Sequence, residues 1–181
     1  PHAASSDATA DSWQLLTLLR DRFLVCEGAP GVFVVDQTAA QILLARNAAH
    51  HLLNRGNLPS QRLLFPLTRE ADENTANCTE RAGPSWTRLG IDLRRSAPHT
   101  LTLHAVPRAL ARANPAMLVD RLLEIAAPRF SRPDDDAALD ETELLAMFDQ
   151  LLALLTPTVP MTREQSLLFL RDLQRSGLVQ Q

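Results

Sequence analysis

Two short β-rich runs, Phe23 to Glu27 and Val32 to Asp36, flank the tetrapeptide Gly28-Ala29-Pro30-Gly31. They lead directly into Thr38 to Leu53, a stretch without glycine or proline. Turn formers between two β-branched and aromatic runs predict a hairpin, and the uninterrupted stretch after it predicts a helix. The first half of that helix (Ala39, Ala40, Ile42, Leu43, Leu44, Ala45) is apolar almost all round. More than one of its sides must therefore be covered.

Other elements follow from capping and period. Ser12 is read as the cap of an opening helix carrying Trp13, Leu15, Leu16 and Leu19 on one side. Gly56 and Pro59 end the helix that follows the hairpin. Leu63 to Leu67 is a strand candidate, and residues 70–89 are polar with weak helical character that Gly83-Pro84 should interrupt. Ile91 to Arg95 and Thr100 to Val106 read as strands. The second alternates, with Leu101, Leu103 and Ala105 on one face and Thr100, Thr102 and His104 on the other. Asn114-Pro115 is a cap and first-turn proline for a helix burying Met117, Leu118, Leu122 and Ile125 and stopping before Pro128. Ser131 to Asp136 is a polar linker. Leu144, Leu145, Met147, Phe148, Leu151, Leu152, Leu154 and Leu155 fill two overlapping helical stripes. Thr162 and Gln165 then form a capping box for a last helix ended by Gly177.

The expected fold is α+β with two lobes. Residues 12–58 and 134–181 form a discontinuous lobe of helix, β-hairpin, helix and two C-terminal helices; residues 59–133 form an inserted α/β external lobe. Residues 1–11 read as the remnant of a linker.

All 18 basic residues are arginine, against 21 acidic ones, for a formal net charge of −3. Gripping nucleic acid wants a clustered positive excess, so weak contact with DNA at most is expected. Arg94, Arg95, Arg108, Arg112, Arg129 and Arg132 could form a local basic patch, but a solvated surface is the favoured reading. Cys26 and Cys78 lie in no chelating pair, which fits a reducing, cytoplasmic compartment and ordinary packing. Pro1 to Ala10 lacks the apolar segment of a secretory signal, and the longest apolar runs are too short to cross a membrane.

Catalysis needs convergent groups, and the chain is poor in them. None of its five histidines (His2, His50, His51, His99, His104) falls in a metal-binding spacing. Asp134-Asp135-Asp136 is read as a solvating run rather than a cation site. There is no Gly-rich phosphate loop and no Gly-x-Ser-x-Gly turn. No metal, cofactor or catalytic residue is expected.

The segment Val34-Val35-Asp36-Gln37-Thr38-Ala39-Ala40-Gln41-Ile42-Leu43 resembles a motif of MutL C-terminal domains. In nuclease-active members it reads Asp-Gln-His-Ala-Ala-x-Glu-Arg, with acid and histidine serving a divalent-metal site. Asp36, Gln37, Ala39 and Ala40 match; Thr38 stands for the histidine and Ile42-Leu43 for Glu-Arg. A metal that activates water needs several O or N ligands, which a lone Asp36 does not supply. The Cys-Pro-His-Gly-Arg-Pro stretch of nuclease-active relatives is replaced by Pro160-Met161-Thr162-Arg163. Leu89-Gly90-Ile91-Asp92 and the strand His99 to Val106, followed by Pro107, also look like the family's pattern.

The resemblance implies a homodimerising, partner-docking domain of the nuclease-lacking branch, joined in the whole protein to an N-terminal ATPase. It further implies as partners a mismatch-recognition protein, a separate nicking endonuclease and a helicase. Dimer-interface candidates are Leu43, Leu44, Leu144, Met147, Phe148, Leu151 and Leu155, on the two helices with more apolar positions than one core face requires. Gln61-Arg62-Leu63-Leu64-Phe65-Pro66 is similar to the short peptides that dock on bacterial sliding clamps, where a Gln amide hydrogen-bonds and Leu and Phe fill an apolar pocket. Gln61, Leu63, Leu64, Phe65 and Pro66 are the candidate contacts, with a buried strand start as the competing reading. Gln165 to Phe169 fits the same pattern but lies in an amphipathic helix and is read as core. Two rival functions are a metal-dependent DNA-nicking hydrolase resting on Asp36 and a regulatory domain holding a small ligand between its lobes.

Overall fold

The computed structural model describes residues 13–29, 31–131, 139–155 and 161–178. The chain is α+β, as its sequence predicts, with two three-stranded antiparallel sheets and six α-helices among the described residues. Internal contacts divide it into two units, Pro1–Leu44 with Pro157–Gln181, and Ala45–Thr156.

In the first unit, β1 (Gln14–Leu19), β2 (Phe23–Gly28) and β3 (Gly31–Asp36) form a meander in that spatial order. The helix expected from Ser12 is therefore corrected: Ser12 lies outside the described residues, and Trp13 to Leu19 leads into and forms β1. Its leucines suit either period, and pairing with β2 decides the outcome. The sequence concealed the connecting turn because it holds no glycine. Arg20 and Asp21 both take positive φ (49° and 53°), and the Arg22 amide bonds the Leu19 carbonyl at 3.1 Å. Three residues, Arg20 to Arg22, link Leu19 to its partner Phe23, and two consecutive positive-φ positions are a backbone that Asn and Gly adopt most readily. The second hairpin forms where the turn residues predicted it, with Gly28 opposite Gly31. One sheet face carries Leu15, Leu24 and Cys26, all buried, flanked by Leu18, Phe33 and Val35. Helix α6 (Arg163–Arg175) covers this face with Leu170, Leu167 and Phe169. Each fully buried leucine contributes roughly 1.5–3 kcal/mol. The Thr162–Gln165 capping box starts α6, its two bonds at 3.0 and 3.3 Å. Helix α1 (Gln37–Leu53) follows β3 directly, and the division between the units falls inside it, after Leu44.

The second unit is built on a sheet of order β4–β6–β5: β4 (Ser60–Glu70), β5 (Asp92–Ala97) and the central β6 (Thr100–Pro107). The expected polar face of β6 is corrected. Thr102 is buried and its hydroxyl lies 2.7 Å from that of Ser96, so polar side chains here are satisfied inside rather than solvated. Residues 70–89 are clearly helical, as α2 (Glu73–Arg81) and α3 (Gly83–Arg88). Asp72 caps α2 through the Thr75 amide at 2.9 Å. The interruption expected at Gly83-Pro84 is there: α2 ends at Arg81, Ala82 separates the helices, and Pro84 sits in the first turn of α3, where its missing N–H costs nothing. Helix α4 (Pro115–Arg129), capped by Asn114 as expected, continues one residue past Pro128. Helix α5 (Glu141–Leu152) opens with a second capping box, Asp140 and Glu143. It packs against α4 and falls in this unit, whereas the sequence expectation grouped it with the chain ends. The physical reason is its contacts: Glu143 and Gln150 bond Arg129 and Arg121 of α4, and Leu144, Phe148 and Leu151 are buried. The expected linker at Ser131 to Asp136 lies outside the described residues from residue 132 onward.

Gly90 joins α3 to β5 with φ +75°, and a Cβ there would sit 2.7 Å from the Leu58 carbonyl oxygen. Only glycine fits such a close backbone approach.

Candidate functional site

Asp36 ends β3 and immediately precedes α1. One carboxylate oxygen accepts the amides of Thr38 (2.9 Å) and Ala39 (3.3 Å), which makes Asp36 the N-cap of the helix. The other accepts Arg22 through Nε (3.1 Å) and Nη2 (2.5 Å). Arg22 reaches it because the tight β1–β2 turn sets the arginine just before Phe23, whose ladder partner is Asp36. The Gln37 amide, bonded to the Arg22 carbonyl at 3.0 Å, ties the same corner through the backbone. The Arg22 guanidinium holds the Asp36 carboxyl below its ordinary range; burial opposes it, and the Ala39 and Thr38 amides add smaller lowering effects. Arg22 was missed in the sequence, since nothing in its spacing marks a partner fourteen residues away.

A divalent ion at this corner would have to displace Arg22 from Asp36. Among the described residues no group of three or more His, Cys, Asp or Glu side chains is placed to hold a metal. The Gln37 side-chain nitrogen is buried without a hydrogen-bond partner.

The clamp-like peptide occupies β4. Arg62 pairs with Ala105 and the ladder resumes at Leu67 opposite Leu103, so residues 63–66 face His104 alone and arch out from the sheet edge. Leu64 and Phe65 on this arch are 87% and 81% exposed. Gln61 and Pro66 are exposed too, Leu63 half-buried. The competing reading, a buried strand start, does not describe these side chains. The look-alike Gln165 to Phe169 is core only in part: Gln165 caps α6 and Leu167 and Phe169 pack on the first sheet, while Leu168 is exposed.

The dimer-interface candidates separate into two groups. Leu43 is exposed, with Leu44 and Leu155 half-buried. Leu144, Met147, Phe148 and Leu151 are buried within the chain, so they are corrected to core residues: α5 directs that stripe inward. Exposed apolar surface lies instead on the outer face of the first sheet, where Leu19, Val32 and Val34 are 50%, 66% and 59% exposed. Val34 pairs with Val25 on that face, and Phe23 beside it lies under the Arg22 guanidinium at 5.0 Å. The signal was present in the sequence. Val32 to Val35 is apolar at every position, which in a strand puts greasy side chains on both faces.

Among the described residues no helix is long and apolar enough to cross a membrane.

An α+β chain with an apolar sheet face and two apolar side chains held out on an edge arch is of the class that makes contacts with other proteins. More specifically, it belongs to the family of MutL C terminal dimerisation domains, whose model matches residues 16–153. It is 28% identical over 124 residues to the DNA mismatch repair protein MutL of Pelobacter propionicus, covering 68% of this chain and 20% of that protein. To the MutL of Xanthomonas axonopodis pv. citri it is 29% identical over 123 residues, again 68% of this chain and 20% of the relative. The MutL of Gemmatimonas aurantiaca is 35% identical over 92 residues, 51% of this chain and 15% of the relative. The chain thus spans about a fifth of the length of the first two of these relatives.

Proposed function

We propose that this chain is a non-catalytic homodimerisation and partner-docking domain of a DNA mismatch-repair MutL protein, which elsewhere carries an ATPase. The observation behind self-association is the outer face of the β1–β3 sheet, with Leu19, Val32 and Val34 uncovered beside Val25. An apolar face on a small antiparallel sheet is costly in water and stabilising when a second copy covers it. Leu43, exposed on α1, is a further candidate for the same surface. Sedimentation equilibrium tests this reading: the native chain should be a dimer at micromolar concentration, and a V32K/V34K chain a folded monomer. A native chain that stays monomeric at all concentrations would remove the proposal.

The occupation of Asp36 by Arg22 and two helix amides supports a non-catalytic role over a nicking activity. A supercoiled plasmid incubated with the chain and manganese should stay intact.

The arch at residues 63–66 favours docking on a bacterial sliding clamp. Leu64 and Phe65 would serve as anchors and Gln61 as the hydrogen-bonding residue. Clamp binding should fall at least tenfold, about 1.4 kcal/mol, when Leu64 is changed to alanine in a folded chain. Unchanged affinity would end this part of the reading.

A further inference from the structure

The carboxylates nearest the arch are already engaged: Asp92, across Ala105 from Arg62, is held by Arg94, and Asp120 is held by Arg69. Although the chain is acidic overall, no Asp or Glu occurs from Gln37 through Arg69, or from Leu93 through Val119. These are the stretches that supply most of β4, the whole of β6 and the turn after it. Three of the six arginines of the expected basic patch are neutralised locally: Arg94 by Asp92, Arg95 by Glu80 and Arg129 by Glu143. Arg132 lies outside the described residues. Arg62 and Arg108 are different. Both are exposed, and among the described residues neither has a carboxylate partner.

Their positions matter more than their number. Arg62 is the last paired residue before the arch. Arg108 donates its backbone amide to the Pro59 carbonyl at 2.8 Å, one rung beyond the Ser60–Pro107 pair. The two thus stand three rungs apart, roughly 10 Å along the ladder. That equals the screening length of about 10 Å at 0.1 M salt, so an approaching charge feels both together. Because β4 is an edge strand, a partner gripping the arch lies beside it and meets side chains from both sheet faces.

We infer that the arch docks a protein surface whose apolar pocket is rimmed by carboxylates, with Arg62 and Arg108 steering that surface onto Leu64 and Phe65. This rests on the docking reading above and adds the charge of the partner and the way it is captured. Leu64 argues for protein over nucleic acid, since an aliphatic side chain offers no stacking face for a base, whereas an apolar pocket accepts it. Paired charges at the edge of an interface act on the association rate and its salt dependence, while buried anchors act on dissociation.

The test follows binding of the chain to an immobilised bacterial sliding clamp by surface plasmon resonance, between about 50 and 500 mM sodium chloride. For the native chain the association rate should fall steeply with salt. An R62E/R108E chain, checked for its native fold by circular dichroism, should associate about tenfold more slowly at the low-salt end. Its salt dependence should flatten and its dissociation rate should stay within about twofold. An L64A/F65A chain should instead dissociate much faster. If the arginine variant associates as the native chain does while L64A/F65A abolishes binding, the steering inference falls and the docking reading stands. If the clamp is not bound, or L64A/F65A binds normally, docking and steering fall together. Displacement of the clamp by a single-stranded oligonucleotide would overturn the inference in favour of nucleic acid.

Discussion

Arg22 and Asp36 stand 2.5 Å apart at the corner where β3 turns into α1, with Asp36 also receiving two amides of the helix. Relatives with nuclease activity were expected to use an acid at this place for a metal. Here the same carboxylate joins a hairpin turn to a helix start through Arg22 and two helix amides. The consequences can be measured.

Stability should respond to acid through this corner. The Asp36 carboxyl titrates below its ordinary value of 3.8 in the folded chain. A depressed folded value means the unfolded chain binds the proton first as pH falls. The contribution is thus fully present above the ordinary carboxylate range and disappears as pH falls through the lower folded value. Asp72, which caps α2, is shifted in the same direction, so the native chain alone does not isolate Asp36. The difference between the native and Asp36→Asn melting temperatures should be largest near neutral pH and close towards pH 3 (about the lower edge of the carboxylate range). A gap independent of pH would show that charge at this corner contributes nothing.

Loss of the cap should cost more than loss of the ion pair. Asp36→Ala removes the acceptor for the Thr38 and Ala39 amides and should destabilise by about 1 kcal/mol in urea unfolding. Arg22→Ala, whose ion pair is largely solvent-exposed, should have the smaller effect.

Manganese at millimolar concentration should leave the melting temperature unchanged, because Asp36 is already occupied by Arg22 and two helix amides. A saturable rise abolished by Asp36→Asn would reveal a cation site and reopen the nicking hypothesis.

The β1–β2 turn should be improvable. Arg20 and Asp21 hold positive φ without being glycine, a conformation that costs each roughly 1 kcal/mol. R20N/D21G should stabilise the chain by about 1 kcal/mol and raise the unfolding midpoint. A decrease would mean that the Arg20 or Asp21 side chain matters more than the backbone.

Gly90→Ala should do the reverse. Its Cβ would meet the Leu58 carbonyl oxygen at 2.7 Å, and the cost, about 1–3 kcal/mol with positive φ included, should appear in the same unfolding assay.

Capping and turn chemistry were the most readable parts of the sequence. Thr162 with Gln165, Asn114 with its following proline, and the Gly28–Gly31 hairpin all appear where those residues placed them. What escaped was set by long-range pairing. Trp13 to Leu19 suits a helix as well as a strand, and its turn uses Arg20 and Asp21, a pair with no Gly, Pro or Asn to mark it. A leucine-rich helix such as α5 does not declare which neighbour covers it, so Phe148 and Leu151 looked available for a partner although they are core. Of the candidate sites, the Asp36 motif and the Gln61–Pro66 peptide were both visible as patterns. The ion pair with Arg22 and the outward arch were not, because each depends on which strand lies alongside.

The arch has one more implication. The β4–β6 ladder is paired on both sides of residues 63–66, at Arg62 with Ala105 and at Leu67 with Leu103. Leu64, Phe65 and Pro66 are exposed, so exchanging them removes little buried surface and should leave the flanking rungs in place, with half-buried Leu63 as the exception. The edge can thus be retuned for a partner at small cost to the sheet.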